Sequence, residues 1–397
     1  MTASGPRPAP SPRITPDPRP IRAFLEDHHV AFAGEAGAFA ARVVAPRAEP
    51  ADDGAARVEA RALLGEIGGA GLFEPIARQD WRSCALAREA LAAASPLADA
   101  VFALQGLGAV PILLAGDAAL QKRWVAPAVA GRAMGAFAMT ETEAGSDVAA
   151  LATSARRDGA QYVLNGRKTY ISNAGIADFY TVFASTDAAA GAKGISCFVV
   201  PADAPGLRFV GAQVLSSPHP LGEMEFRDCR VPAENRLGEE GRGFALGLKT
   251  LDRLRATVGA AACGMASRAL GEAIAHARAR RQFGKPLAEF QLTQEKLARM
   301  ATDLAAARLL VYSAVWTADQ GAERVTLEAA MAKSYATEAA QRIVDDAVQI
   351  LGGGGVLAAH PVDRLYRSVR ALRIYEGTTE IQRLVIAGQL LRSDSPA

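Results

Sequence analysis

Five short strings in the chain gather residue types that can carry chemistry. Ile374-Tyr375-Glu376-Gly377-Thr378-Thr379-Glu380-Ile381-Gln382-Arg383 sets a carboxylate beside a glycine and two hydroxyls at the head of a helix. A carboxylate so placed can act as a base, or it can simply cap the helix. Arg280-Arg281-Gln282-Phe283-Gly284-Lys285-Pro286, followed by Phe290-Gln291, joins planar, permanently charged guanidinium groups to aromatic rings. Standing alone, such an arginine pair is a solvated helix face. Gln349-Ile350-Leu351-Gly352-Gly353-Gly354-Gly355 ends in glycines that allow close approach of the backbone. No strand precedes them, so they are not a dinucleotide fingerprint, and their plain reading is a helix stop. Phe137-Ala138-Met139-Thr140-Glu141-Thr142-Glu143-Ala144-Gly145-Ser146-Asp147 reads as a strand running into a polar loop, and Asn165-Gly166-Arg167-Lys168-Thr169-Tyr170-Ile171-Ser172-Asn173 as a hairpin.

The elements that must position these strings fall into three regions. At 397 residues the chain exceeds one ordinary core. Residues 1–20 are rich in proline with no apolar period and read as a disordered leader, without the apolar segment of a secretory signal. Residues 21–133 read as helical. Residues 134–246 hold runs of strand type: Tyr162–Leu164 and Lys168–Ile171 joined by a tight Asn165-Gly166 turn, then Phe179–Ala184, Ile195–Val200, Leu207–Val210 and Met224–Val231. From residue 247 to 397 the helical period returns, with Leu297, Met300, Ala301, Leu304, Ala307, Val311, Ala314 and Val315 on one face. A second long helix runs from Leu327 to Leu351. The expected fold is α+β, mainly α: an N-terminal helical domain, a small middle β-sheet domain and a C-terminal four-helix bundle.

Half the residues are apolar and the net charge is +2, with no basic stripe to call for nucleic acid. The longest uncharged run, Ala100–Gly116, contains Gln105 and Pro111 and falls short of a bilayer span; it reads as a buried helix pair broken at the proline. Cys84, Cys197, Cys229 and Cys263 are far apart and the five histidines do not cluster. Reduced thiols in a cytoplasm and no metal site are therefore expected.

In order and spacing, the five strings resemble those of the acyl-CoA dehydrogenases, from about residue 21 to the end of the chain. The resemblance implies FAD as cofactor, with Phe137, Met139, Thr140 and Ser146 against the flavin and Tyr170, Ile171 and Ser172 forming an aromatic plate and a hydroxyl beside it. Arg280 would hold the pyrophosphate, and Gln282, Phe283 and Gln291 the nucleotide. Gln349, Leu351, Gly352 and Gly353 would meet the adenosine end in an adjacent subunit, and Thr378 and Glu380 would continue toward the cofactor. Glu376 would be the base that removes the substrate's α-proton, and Ser146, Asp252, Arg255 and Gly377 would contact the acyl-CoA.

Some members of the family carry the base on an earlier helix, at a position that here is Leu254 within Leu251-Asp252-Arg253-Leu254-Arg255. A carboxylate is absent there and present at 376. The implied reaction is α,β-dehydrogenation of an acyl-CoA to the trans-2-enoyl-CoA, with an electron-transfer flavoprotein as acceptor and a homotetramer, a dimer of dimers, as the working species. A flavin oxidase or monooxygenase on the same scaffold is the alternative, disfavoured by the glutamate; a non-catalytic CoA- or nucleotide-binding scaffold is a third. The chain departs from the family at Thr142, where proline is usual, at Tyr170 and Ser172, which replace Trp and Thr, and over Ser216–Gly222, where an arginine-serine-threonine segment is expected.

Overall fold

A computed structural model describes residues 14–392. The leader expected over 1–20 lies outside the described residues up to 13. From 14 the chain is packed: Pro16 is buried and Thr15 lies against Gly37.

The N-terminal region comprises α1 (Asp27–Phe39), α2 (Asp53–Gly69), α3 (Glu74–Arg78), α4 (Trp81–Ala94), α5 (Pro96–Ala115), α6 (Ala118–Leu120) and α7 (Ala126–Val129). Asp80 caps α4 by accepting the Ser83 N–H at 3.0 Å. Every residue of α4 from Trp81 to Ala93 is buried, because α1, α5 and two long C-terminal helices, Gly243–Ala279 and Gln291–Asp319, surround it. Among the described residues α5 is the one helix long and apolar enough to cross a membrane, yet most of it is buried inside the protein. It is a single helix, not the expected pair broken at Pro111. The surrounding core holds the helix through the proline, and the Gly108 carbonyl in the disturbed turn accepts the Thr181 hydroxyl at 3.0 Å.

The middle region is one sheet. Its strands are β1 (Gly135–Ala138), β2 (Ser154–Asp158), β3 (Gln161–Ser172), β4 (Phe179–Ser185), β5 (Ile195–Pro201), β6 (Leu207–Ala212), β7 (Leu221–Pro232) and β8 (Arg236–Leu237). They run in the order β6-β7-β3-β2-β4-β5-β8, with β1 parallel to β4. Asn165-Gly166 is not the hairpin turn expected of it. Residues 161–172 form one strand, and the pair sits at a bulge where the register against β7 slips between Leu164 and Gly166. The Asn165 side chain accepts the Asp228 N–H at 2.8 Å, which satisfies the interrupted ladder. The true hairpin joins β2 to β3 through Gly159-Ala160.

The C-terminal region holds α8 (Gly243–Ala279), a small hairpin of β9 (Arg281–Gln282) and β10 (Lys285–Pro286), α9 (Gln291–Asp319), α10 (Thr326–Leu351), α11 (Pro361–Leu372) and α12 (Thr379–Leu390). The long α8, α9 and α10 pack on one another, and α11 and α12 pack on α10 to complete the bundle. Met300, Leu304, Ala307, Val311, Ala314 and Val315 are buried as the period requires, while Ala301 is exposed at the edge of the stripe. The N-terminal and C-terminal helices share one core. At their junction the Glu89 carboxylate accepts from Arg308 and, at 2.8 Å, from the Tyr312 hydroxyl. Gly264 makes this approach possible, since a Cβ there would stand 2.1 Å from the Glu89 carbonyl oxygen.

Candidate active site

Glu376 lies in the short loop between α11 and α12. It adopts φ +54°, unusual for a residue with a side chain, and Gly377 follows at φ +91°. The peptide carbonyls of Tyr375, Glu376 and Gly377 are each tied down. Lys333 on α10 donates to Tyr375 O at 2.9 Å and to Gly377 O at 2.6 Å. Arg255 on α8 donates to Glu376 O at 3.3 Å, and Gln382 on α12 reaches Glu376 O at 3.2 Å and Gly377 O at 2.9 Å. Thr378 caps α12 by accepting the Ile381 N–H at 3.3 Å, which stops the loop and starts the helix.

Against this fixed backbone, Oε2 of Glu376 is buried with no hydrogen-bond partner among the described residues. Burial raises the carboxyl pKa above its ordinary value; Arg88, Lys333 and Arg255 oppose that rise, and Asp99 adds to it. Arg88 on α4 is itself held by Asp99 on α5, through bonds of 2.8 and 3.0 Å, and by Thr257 on α8 at 3.0 Å. The Tyr375 hydroxyl lies against the same guanidinium. Leu254, where a carboxylate would mark the other placement of the base, is buried against Gly106 of α5. Asp252 and Arg255 are paired with each other at 2.9 Å, and Arg255 is buried behind the loop.

The strings of the middle region form one wall. Lys168, wholly buried, donates to Met139 O at 3.0 Å and to Glu141 at 2.7 Å. Glu141 also accepts the N–H groups of Ala152 and Thr153, and Thr169 N–H donates to Thr140 O at 3.0 Å. One buried ion pair thus fastens the end of β1 to β3. Met139 is buried and Phe137 stacks toward Phe183, their ring centres 4.9 Å apart. Ser146 is exposed in the loop beyond. Tyr170 stands out of the sheet at φ +55° and 63% exposed, Ile171 points into the core, and the Ser172 hydroxyl bonds Nε2 of His219 at 2.8 Å. The departing segment that carries His219 is tied to α11, by Ser217 to Ser368 at 2.7 Å and by Arg367 to Ser216 O at 3.0 Å.

A third group stands apart. Phe283 and Gly284 form the two-residue turn between β9 and β10, both at positive φ, +50° and +79°. Phe283 is 93% exposed, and its nearest ring neighbour is Phe290 at 6.3 Å. Arg280, Gln282 and Gln291 are exposed beside it, and Arg280 has no carboxylate partner among the described residues. Gln349 is exposed, Leu351 turns its side chain into the core, and at Gly352 and Gly353 an added Cβ would meet nothing within 4 Å. No hydrogen bond or ring contact joins this hairpin to the Glu376 loop within one chain, among the described residues.

Sequence reasoning passed over Lys333, Arg88 and Gln382. The signal was present: Lys333 interrupts the alanine stripe of α10, and Arg88 with Glu89 interrupts the apolar run of α4. The cluster of Glu26, His28, His29 and Asp80 is another place where ligand-type side chains meet. There Nδ1 of His29 accepts the Glu26 N–H, so its proton sits on Nε2, which faces Asp80 at 3.2 Å. That ring serves the α1 cap.

Comparison with known proteins agrees across all three regions. The N-terminal, middle and C-terminal domains of acyl-CoA dehydrogenases match residues 26–132, 136–229 and 241–391. The short-chain specific acyl-CoA dehydrogenase of Homo sapiens mitochondria is 42% identical over 335 residues, 83% of this chain and 78% of that protein. The structure of butyryl-CoA dehydrogenase from Megasphaera elsdenii superposes with a TM-score of 0.88 at 36% identity, covering 93% of this chain and 99% of that one. A glutaryl-CoA dehydrogenase from Mycobacterium smegmatis in complex with FADH2 superposes with a TM-score of 0.85 at 28% identity, covering 94% and 97%. The chain belongs to the acyl-CoA dehydrogenase family, flavoprotein oxidoreductases that dehydrogenate acyl-CoA thioesters.

Proposed function

We propose that Glu376 is the base in α,β-dehydrogenation of an acyl-CoA, giving the trans-2-enoyl-CoA. The observation that carries this is a carboxylate with a buried oxygen unpartnered among the described residues, on a backbone whose carbonyls at Tyr375, Glu376 and Gly377 are held from behind. Burial raises its affinity for a proton, and Arg88, Lys333 and Arg255 offset part of that rise. The Glu376 N–H has no acceptor among the described residues. It is free to donate to a thioester oxygen, where charge develops as the α-proton leaves.

The residues present fit FAD. Arg280 is a cation without a carboxylate partner among the described residues, Phe283 an exposed ring, and Gly352 and Gly353 an open cradle at a helix end. They would hold the pyrophosphate and adenosine, while Thr140, Tyr170 and Ser172 would meet the ring system from the sheet. Bound FAD supplies the acceptor for the hydride that leaves the β-carbon. The hairpin group lies apart from Glu376 in one chain, which supports a site completed by a second subunit in a homotetramer, a dimer of dimers. An electron-transfer flavoprotein would take the electrons onward.

The test is anaerobic bleaching of the flavin by linear, branched and cyclic acyl-CoAs, with oxygen uptake measured in parallel. Bleaching by an acyl-CoA with enoyl-CoA as product and little oxygen consumed is expected. Failure of every thioester to bleach the flavin, or turnover that consumes oxygen stoichiometrically, would count against the reading.

A further inference from the structure

Lys333 is out of character with its helix. It sits fully buried among Ala329, Ala330, Ala332 and Ala336. A buried ammonium is expensive unless a carboxylate pairs with it. No carboxylate of the described residues is in ion-pair distance; its partners are two neutral carbonyl oxygens. A methionine would fill the same volume without a buried charge, but would leave the Tyr375 carbonyl without its donor. The two carbonyls are those of Tyr375 and Gly377, one on either side of Glu376. Arg255 and Gln382 hold the carbonyl between them, but Lys333 alone bridges the residues before and after the base.

We propose that Lys333 is the positioning residue for the base: its ammonium clamps the peptides flanking Glu376, fixing the left-handed backbone that aims the carboxylate. The proposal rests on Glu376 being the base. Without the clamp, Glu376 relaxes toward negative φ, as residues with a Cβ do, and its carboxylate swings away from the reacting carbon. The charge has a second effect. Arg88 from α4, Arg255 from α8 and Lys333 from α10 offset the burial of Glu376, and Asp99 from α5 works against them. Around Lys333 itself stand Glu376, Arg255, Glu338 and Glu380, and burial brings its pKa down to about 8. Removing one of the three cations leaves the carboxyl group harder to ionise.

The experiment compares Lys333→Met, Lys333→Gln and Glu376→Gln with wild type as flavin-loaded enzymes. Three readouts are needed: melting temperature, amide hydrogen exchange over residues 374–382, and anaerobic flavin reduction by butyryl-CoA against pH and concentration. Lys333→Met should fold with at most a modest drop in melting temperature, exchange faster at 376–378 alone, and reduce its flavin about 10- to 100-fold more slowly, the cost of a misplaced catalytic group. Half-saturation by butyryl-CoA should hardly change, and the acid limb of the rate profile should move to higher pH. Lys333→Gln, which keeps a donor but not the charge, should recover part of the rate. An unchanged rate and acid limb in Lys333→Met with an inactive Glu376→Gln would overturn this inference and leave the base in place. An active Glu376→Gln would overturn the base itself. Failure of both lysine variants to fold, or a general rise in exchange, would make Lys333 a structural residue and end the proposal.

Discussion

Ser172 and His219 share a hydrogen bond of 2.8 Å between Oγ and Nε2, joining the end of β3 to the segment where the chain departs from its family. The imidazole is neutral at physiological pH. Burial lowers its pKa to about 4, Arg57 contributes, and Asp53 pulls the other way.

A pH effect on stability follows. Between the ordinary histidine pKa of about 6.5 and about 4, an unfolded chain takes up a proton at His219 and the folded one does not. Stability from this group is therefore full above that window and declines as pH falls through it. His219→Gln keeps a polar partner for Ser172 and cannot titrate. Urea midpoints measured from pH 7 to pH 4 should fall less in the variant than in wild type. Parallel curves would show that His219 is protonated in the folded protein as easily as in the unfolded one.

Glu376→Gln keeps size and hydrogen-bonding capacity and cannot accept a proton. Turnover should drop by on the order of 10³-fold or more, near the upper range for loss of a general base, with flavin content and melting temperature preserved. Rapid-mix anaerobic reduction reads this directly. Leu254→Glu on that background should restore little, because Leu254 is packed against Gly106 and a carboxylate there must first be desolvated.

Phe283→Gly separates folding from cofactor retention. Glycine adopts the positive φ of this turn without strain, so the hairpin should form as well or slightly better, within about 1 kcal/mol. The ring is lost, however, and FAD should dissociate more readily, as it should in Arg280→Ala. Cofactor released on dilution, with melting of the apoprotein followed separately, tests both halves. Full retention of FAD by both variants would remove the hairpin from the cofactor site.

Glu89→Ala breaks the buried junction between the N-terminal and C-terminal helices. It strands Arg308 and Tyr312 without their shared acceptor. The loss should be about 3–5 kcal/mol, typical of removing one partner of a buried ion pair, and denaturant unfolding measures it. Glu89→Gln should cost less, since the amide oxygen still accepts from the tyrosine.

Three regions and most strands were legible because their signals are local: the helical period of α9, the continuous aromatic and β-branched runs of β4 and β5, buried nearly end to end, and the glycine stop after α10. Asn165-Gly166 misled because a dipeptide that tolerates positive φ suits a bulge as well as a turn, and only the partner strand decides which. Pro111 misled for a similar reason, since the core around α5 outweighs the local preference for a break. At the site, Glu376 was readable from its string. Lys333 and Arg88 were not, because each acts on the loop from a distant helix and no spacing in the chain encodes that meeting, whereas Gln382 stood within the string itself. A charged residue inside an apolar stripe is the trace such contacts leave.

Three helices each fasten part of the loop at 375–377: α8 through Arg255, α10 through Lys333 and α12 through Gln382. Their relative displacements add up at one carboxylate, and α12 is the last helix among the described residues. Warming that shifts α12 by a fraction of a turn leaves the core closed and the ellipticity intact, yet frees the backbone at Glu376. Heat inactivation should then precede melting and reverse on cooling; activity and ellipticity followed on one sample would show whether the seating of α12, and not the strength of the core, sets the enzyme's working ceiling.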